Sequence, residues 1–285
     1  MVDVLNKMSF QKILICYSPE KDKNGEQSRN LVSIWAERYL VNKIMPYTID
    51  IVSVEDFGFI EKSYDLAISV GGDGTLLRVI HLLNAHNTPV IGVNMGRRGF
   101  MTEVDLHKVE DSFKAISEGK CQIKTYPYLY GSVNEEEEFD IAVNDIYVCK
   151  SQSLSTVELG LYVDDTLVDS YICDGVLVST AFGSTAYNRA LNGSIVHLDS
   201  PVFVITPVGT ADSKFKSFVV PKTSRIRIGV IRCNEKGVEV GFDGTQSVLV
   251  LKENDVIEIM DNNSSFRMIQ LNDFDYYENL RRKLV

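Results

Sequence analysis

The period of the hydrophobic positions changes partway along the chain. KILICY (Lys12–Tyr17), IDIVSV (Ile49–Val54), DLAISV (Asp65–Val70) and PVIGV (Pro89–Val93) are short apolar runs rich in β-branched residues, and each predicts a strand. Between them the spacing becomes helical. Gln27–Val41 carries Leu31, Ile34, Trp35 and Tyr39 at that spacing, and Thr75–Asn84 sets Leu76, Leu77, Ile80 and Leu83 on one face. His107–Gly119 predicts a further helix. Strands alternating with helices imply a parallel sheet with helices packed over it.

From about Lys124 the pattern is almost all strand: VNDIYV, TVELGLYV with DTLVDSY, GVLVST, PVFVITPV, RIRIGVI, GVEVGF with SVLVL, and VIEIM. Asp164-Asp165 and Asp243-Gly244 suit hairpin turns, and Glu135–Glu138 suits a solvated hairpin tip. Asp273–Lys283 returns to a helical pattern and is expected to pack on the first domain. The predicted fold is an α/β N-terminal domain with a parallel sheet (1–122, with 271–285 returning to it) and an all-β sandwich-like C-terminal domain (123–270).

Composition narrows the function. The 285 residues, 45% hydrophobic, can bury one large core or two modest ones. A balance of 39 acidic against 29 basic residues gives a net charge of −10 and a pI near 5.0, which disfavours nucleic acid or an anionic membrane as the main partner. Anionic nucleotides would have to be met locally, by backbone amides, a metal ion or a few basic side chains. No apolar run approaches membrane-spanning length, and the start lacks the layout of a signal peptide. The five cysteines (Cys16, Cys121, Cys149, Cys173 and Cys233) are scattered and form no CxxC pair, as expected of reduced thiols in a cytoplasmic protein. His81, His86, His107 and His197 show no metal-ligand spacing with them.

Four segments are candidates for chemistry. Gly71-Gly72-Asp73-Gly74-Thr75 follows a strand and opens a helix, so freed amides and the positive end of that helix favour a phosphate. A carboxylate there suits proton acceptance or the positioning of a hydroxyl or metal ion during transfer; the alternative is a glycine turn with an N-capping aspartate. DGVLVSTAFGSTAY (Asp174–Tyr187) ends a strand in small hydroxyl residues and glycine, with Tyr187 as a stacking face and Asp174 as an acceptor; such stretches are also ordinary loops. Asn144-Asp145 sets two polar side chains in an apolar run, either as a site or as a satisfied bulge. Asn94–Phe100 (NMGRRGF) offers Arg97 and Arg98 as phosphate contacts or as a solvated loop. Asp56-Phe57-Gly58 spells a protein-kinase motif without the catalytic loop that should accompany it. There is no Walker A pattern and no GxGxxG.

In this order the four segments resemble the NAD kinase family. GGDGTLLR with PVIGVNMGRRGFMTEV resembles its first signature, VNDI its paired Asn and acidic residue, DGVLVSTAFGSTAY its second signature, and GFDGTQ (Gly241–Gln246) its late Asp-Gly-Gln turn. The resemblance implies an α/β domain joined to a β-sandwich, NAD bound at their junction, and a homo-oligomer, dimer or tetramer. It implies phosphorylation of the 2′-hydroxyl of the adenosine ribose of NAD, with ATP or polyphosphate as donor and a divalent ion, Mg²⁺, as cofactor. Asp73 becomes the catalytic base. NAD contacts fall to Asp73, Gly74, Asn144, Asp145, Asp174, Thr185, Ala186, Tyr187, Asn188, Ala190 and Gln246. Donor phosphate falls to Gly71, Gly72, Gly74, Thr75 and Arg78.

The chain departs from the family pattern at Thr180-Ala181-Phe182, where Thr-Pro-Thr is usual, and at Asn192-Gly193, where a Gly pair is usual. It lacks a Pro-His pair in TPVGTADSKF and inserts Thr245 before Gln246. A GGDGT-type lipid kinase and a non-catalytic nucleotide sensor remain the other readings.

Overall fold

The computed structural model describes residues 3–4, 8–56, 63–96, 99–134, 139–151, 155–210, 216–244 and 249–284. The chain divides into two compact units, 1–126 with 265–285, and 127–264.

The first unit is built on an eight-stranded sheet. Lys12–Tyr17 pairs in parallel with Thr48–Ser53 and with Leu66–Gly71, and Leu66–Gly71 pairs in parallel with Val90–Asn94. These four strands lie within a residue of the predicted ones, because runs of β-branched residues suit a sheet buried on both faces. Leu66–Gly71 and Val90–Asn94 are buried along their whole length.

The expected domain boundaries shift. Residues 123–127 and 265–270 read as part of the β domain in sequence, yet the strands that hold them, Cys121–Pro127 and Ser265–Leu271, belong to this first sheet, where Ser265–Leu271 pairs in parallel with Val90–Asn94. A strand's hydrophobic pattern does not say which sheet it joins, and that is the physical reason for the shift.

Helical packing also differs from the expected face. Residues 28–39 are helical, but Ser28–Val32 winds as a π-helix before the α-helix Ser33–Tyr39. The wider turn rotates the register. Ser28, Val32, Ala36 and Leu40 are the fully buried positions, Ile34 is 53% exposed, and Leu31, Trp35 and Tyr39 pack from the margin. The other helices are Asp73–Leu82, Val109–Ser117 and Tyr276–Leu284.

The second unit holds two six-stranded antiparallel sheets. One centres on Gly175–Thr180, Asp145–Lys150 and Val238–Phe242, and the other on Val157–Val163, Ile226–Arg232 and Val256–Met260. Inward residues of both sheets, among them Val148, Val176, Phe203, Leu159, Ile228 and Ile257, form one core, so the unit is a sandwich. The predicted turn residues take the left-handed conformation their sequence suits: Asp164 and Asp165 have φ of 49° and 66°, and Asp243 and Gly244 have φ of 51° and 66°. Glu135–Glu138, Arg97, Arg98 and Gln246 lie outside the described residues.

Candidate active site

The strand Leu66–Gly71 runs out into Gly72, whose extended backbone caps the helix Asp73–Leu82 with no side-chain hydrogen bond. The first amides of that helix are therefore not capped by a side chain at this position, which leaves an anion-attracting end. A Cβ at Gly72 or Gly74 would meet nothing within 4 Å, so both face open space. Gly71 is different. It is buried, and a Cβ there would lie 2.3 Å from Thr75 Oγ1, so packing against Thr75 requires its small size. Arg78 is exposed.

Asp73 does not cap its own helix. Its carboxylate turns to the segment after Gly99, where Oδ1 accepts from Met101 N at 3.0 Å, from Thr102 N at 3.1 Å and from Thr102 Oγ1 at 3.3 Å. Oδ2 accepts from Phe100 N. The fit leaves no room at Gly99, where a Cβ would sit 1.8 Å from Asp73 Oδ1. Three consecutive amides are thus held by one charge, through hydrogen bonds stronger than neutral ones.

The second unit repeats the device. Asp243, at the end of Val238–Phe242, accepts from the amides of Val143, Asn144 and Asp145 at 2.7, 2.6 and 3.0 Å, and its own amide donates to the Asp145 carbonyl at 2.9 Å. The turn so fixed presents Asn144 and Asp145, both buried. Asn144 Oδ1 has no hydrogen-bond partner among the described residues. Burial pushes the Asp145 carboxyl up to about 7, and the neighbouring Asp243 charge adds to the shift. A cavity of about 470 Å³ opens here, lined by Asn144, Asp145, Tyr147, Ala186 and Tyr187 among others. The Tyr147 and Tyr187 rings meet edge to face, centroids 5.5 Å apart.

The structure brings Asn144, Asp145, Ala186 and Tyr187 to this cavity and leaves other expected contacts outside its lining. Asp174 is ion-paired with Lys150 at 2.5 Å. The Asn188 side chain holds its own loop: Nδ2 donates to the carbonyls of Ser184 and Ser194, and Oδ1 accepts from Thr206 Oγ1. Thr185 is buried, with its carbonyl accepting from Arg189 Nε, and Ala190 is exposed. The hydroxyl-rich loop packs directly on the Asn144 turn. Thr180 Oγ1 donates to the Val143 carbonyl and accepts from Gly183 N, both at 2.8 Å, and a Cβ at Gly183 would come within 2.1 Å of the Asn144 carbonyl oxygen. In sequence Asp243 reads as a hairpin turn and as part of GFDGTQ, and neither pattern marks it as the acceptor of three amides.

A glycine turn opening a helix, a carboxylate at its first position and a polar, aromatic-lined cavity in a sandwich are the parts of a nucleotide phosphotransferase. Residues 19–121 match the family model of the ATP-NAD kinase N-terminal domain, and residues 143–271 match that of the ATP-NAD kinase C-terminal domain. The NAD kinase of Caldanaerobacter subterraneus subsp. tengcongensis is 31% identical over 288 residues, spanning 97% of this chain and 99% of that protein. The NAD kinase of Moorella thermoacetica is 34% identical over 221 residues, spanning 76% of this chain and 70% of that protein. The chain belongs to the NAD kinase family.

Among solved structures, yeast NADH kinase complexed with NADH superposes with a TM-score of 0.80 at 21% identity, covering 98% of this chain and 88% of that one. An NAD kinase from Archaeoglobus fulgidus in complex with ATP gives 0.73 at 23% identity, covering 96% and 98%. These two establish the fold, an α/β unit with a β-sandwich. The lipid-kinase reading is not favoured by any of these matches. Among the described residues, no helix is long and apolar enough to cross a membrane.

Proposed function

We propose that the protein phosphorylates the 2′-hydroxyl of the adenosine ribose of NAD, with ATP as donor, to give NADP. The observation that carries this reading is the unpartnered Asn144 Oδ1 beside Asp145 and Tyr187 in the 470 Å³ cavity. A buried acceptor without a partner costs about 1–3 kcal/mol, which a ribose hydroxyl or amide of a bound nucleotide recovers. Tyr187, 44% exposed at the cavity, supplies the stacking face.

Asp73 takes the hydroxyl proton as the phosphoryl group is transferred. Among the described residues its Oδ2 accepts a single hydrogen bond, from Phe100, so a lone pair remains for that proton. The open amides at Gly72–Gly74 suit the donor phosphates. Mg²⁺ supplies charge neutralisation to those phosphates when bound. Among the described residues no three His, Cys, Asp or Glu side chains converge to hold a metal. Homo-oligomerisation and a cytoplasmic location rest on the family resemblance.

The test is incubation with NAD, ATP and Mg²⁺, followed by an NADP-specific dehydrogenase that reads the 2′-phosphate. NADP formation, abolished by excess EDTA, is expected. Absence of NADP, or phosphorylation of a diacylglycerol instead, overturns the reading.

A further inference from the structure

Beside the Asp73 clamp the first unit holds another cavity, of about 190 Å³, that the proposed reaction does not use. Asn94, the last residue of the strand Val90–Asn94, lines it and is 3% exposed. Its Nδ2 donates to the Gly96 carbonyl at 3.2 Å, which fixes the orientation of the amide and leaves Oδ1 as its acceptor. That Oδ1 is buried and has no partner among the described residues. A buried amide oxygen in this state calls for a donor from outside the fold.

The rest of the lining sets the charge of that donor. Glu103, Asp105, Asp273, Asp275 and Glu278 bring carboxylates against Lys108 and Arg282; Arg282 and Glu278 neutralise each other, Glu103 accepts from Gln270 Nε2 and Leu271 N, Asp105 from His107 N and Asp275 from Glu278 N, and the balance of the lining charge is negative. The carrier of the donor is therefore cationic. The volume is too small for a nucleotide. No three acidic, His or Cys side chains among the described residues converge as metal ligands, which argues against an inner-sphere metal.

We propose that this cavity binds a small alkylammonium cation, a diamine or the end of a polyamine, whose N–H groups are shared between Asn94 Oδ1 and the surrounding carboxylates. Two lining residues join the cavity to the clamp. Thr102 lines it while donating N and Oγ1 to Asp73 Oδ1. Asn279, from the helix Tyr276–Leu284, lines it while its Nδ2 donates to the Phe100 carbonyl at 3.3 Å. Phe100 is the residue whose amide holds Asp73 Oδ2. A cation seated here acts on the segment 100–102 and through it on the reactivity of Asp73, so it alters kcat rather than nucleotide affinity.

The test is calorimetric titration of the full chain, without nucleotide, with 1,4-diaminobutane, and in parallel with 1,4-butanediol and with MgCl₂. Saturable binding of the diamine at one site is expected, with none for the diol and no competition by equimolar Mg²⁺. Asn94→Leu and Asp273→Asn should each weaken the diamine by fivefold or more. The second change is a conservative one that keeps the test decisive if the first disturbs folding. Equal binding of the diol, displacement by Mg²⁺, no saturable binding, or affinity unchanged in Asp273→Asn and in folded Asn94→Leu would each overturn the site. Binding with no change in kcat at saturating NAD and ATP would overturn the link to Asp73.

Discussion

Asp73 in the first unit and Asp243 in the second do the same structural work with opposite consequences. Each gathers three consecutive backbone amides, 100–102 in a loop for one and 143–145 for the other, the second set ending on the first residue of the strand Asp145–Lys150. Asp73 is itself the group proposed to react, and its clamp orients the carboxylate. Asp243 serves its neighbours: it presents Asn144 with a free acceptor and holds Asp145 in a setting where ionisation is unfavourable. A carboxylate that fixes a loop is therefore not by that fact catalytic. What lies next to it decides.

The largest effect should come from Asp73→Asn. Loss of a positioned general base costs on the order of 10²–10⁴-fold in turnover, while NAD affinity should change little. The asparagine amide group cannot replace every accepted bond, so thermal unfolding measured alongside separates clamp from chemistry. Turnover within a few-fold of the parent would remove Asp73 from its role.

Asp243→Ala should leave the catalytic group intact and strike stability and NAD binding together. Three amides lose a charged acceptor, and a destabilisation of about 2–4 kcal/mol in urea unfolding is expected, with a raised Kd for NAD. If Asp243→Ala were neutral in both, the parallel between the two clamps would break. Asp243→Asn is the sharper variant. It removes the charge that helps raise Asp145, so the Asp145 carboxyl should titrate lower, which carboxyl NMR shifts can follow.

The Asp145 carboxyl also predicts a pH dependence. Below its ordinary value of 3.8 the group is neutral in folded and unfolded chains alike. As pH rises toward about 7 the unfolded chain releases the proton and the folded chain keeps it, so this contribution to stability falls across that window and then levels. Asp145→Asn should flatten the curve between pH 4 and 7; an unchanged slope in denaturant titrations would contradict the burial argument. The smallest effect belongs to Tyr187→Ala. Loss of one partly exposed stacking face should raise the NAD Kd by a factor of about 2–10, corresponding to ~0.5–1.5 kcal/mol, with kcat retained.

Much of this was legible in the residues. Strand positions followed from β-branched runs, the GGDGT turn from its glycines, and the Asp164-Asp165 turn from residues that tolerate positive φ. Long-range assignments were not. Ser265–Leu271 carries an ordinary strand pattern, and only pairing reveals that it completes the first sheet. The π-turn at Ser28–Val32 has no composition that marks it, so the buried helical face moved to Val32, Ala36 and Leu40. Asn188 enters the NAD set only through the family resemblance; in the structure its amide ties Ser184, Ser194 and Thr206 together. Asp243 escaped because its partners lie about 100 positions away in the chain.

The central claim is that the Asn144 cavity holds NAD, and calorimetric titration of Asn144→Ala with NAD and with ATP tests it most directly. The unpartnered Oδ1 makes its bond only when the acceptor nucleotide binds, so NAD affinity should fall by about 1–3 kcal/mol, roughly 5- to 150-fold, while ATP affinity stays within about twofold. Retained NAD affinity with a comparable loss for ATP would contradict the account and give the cavity to the donor.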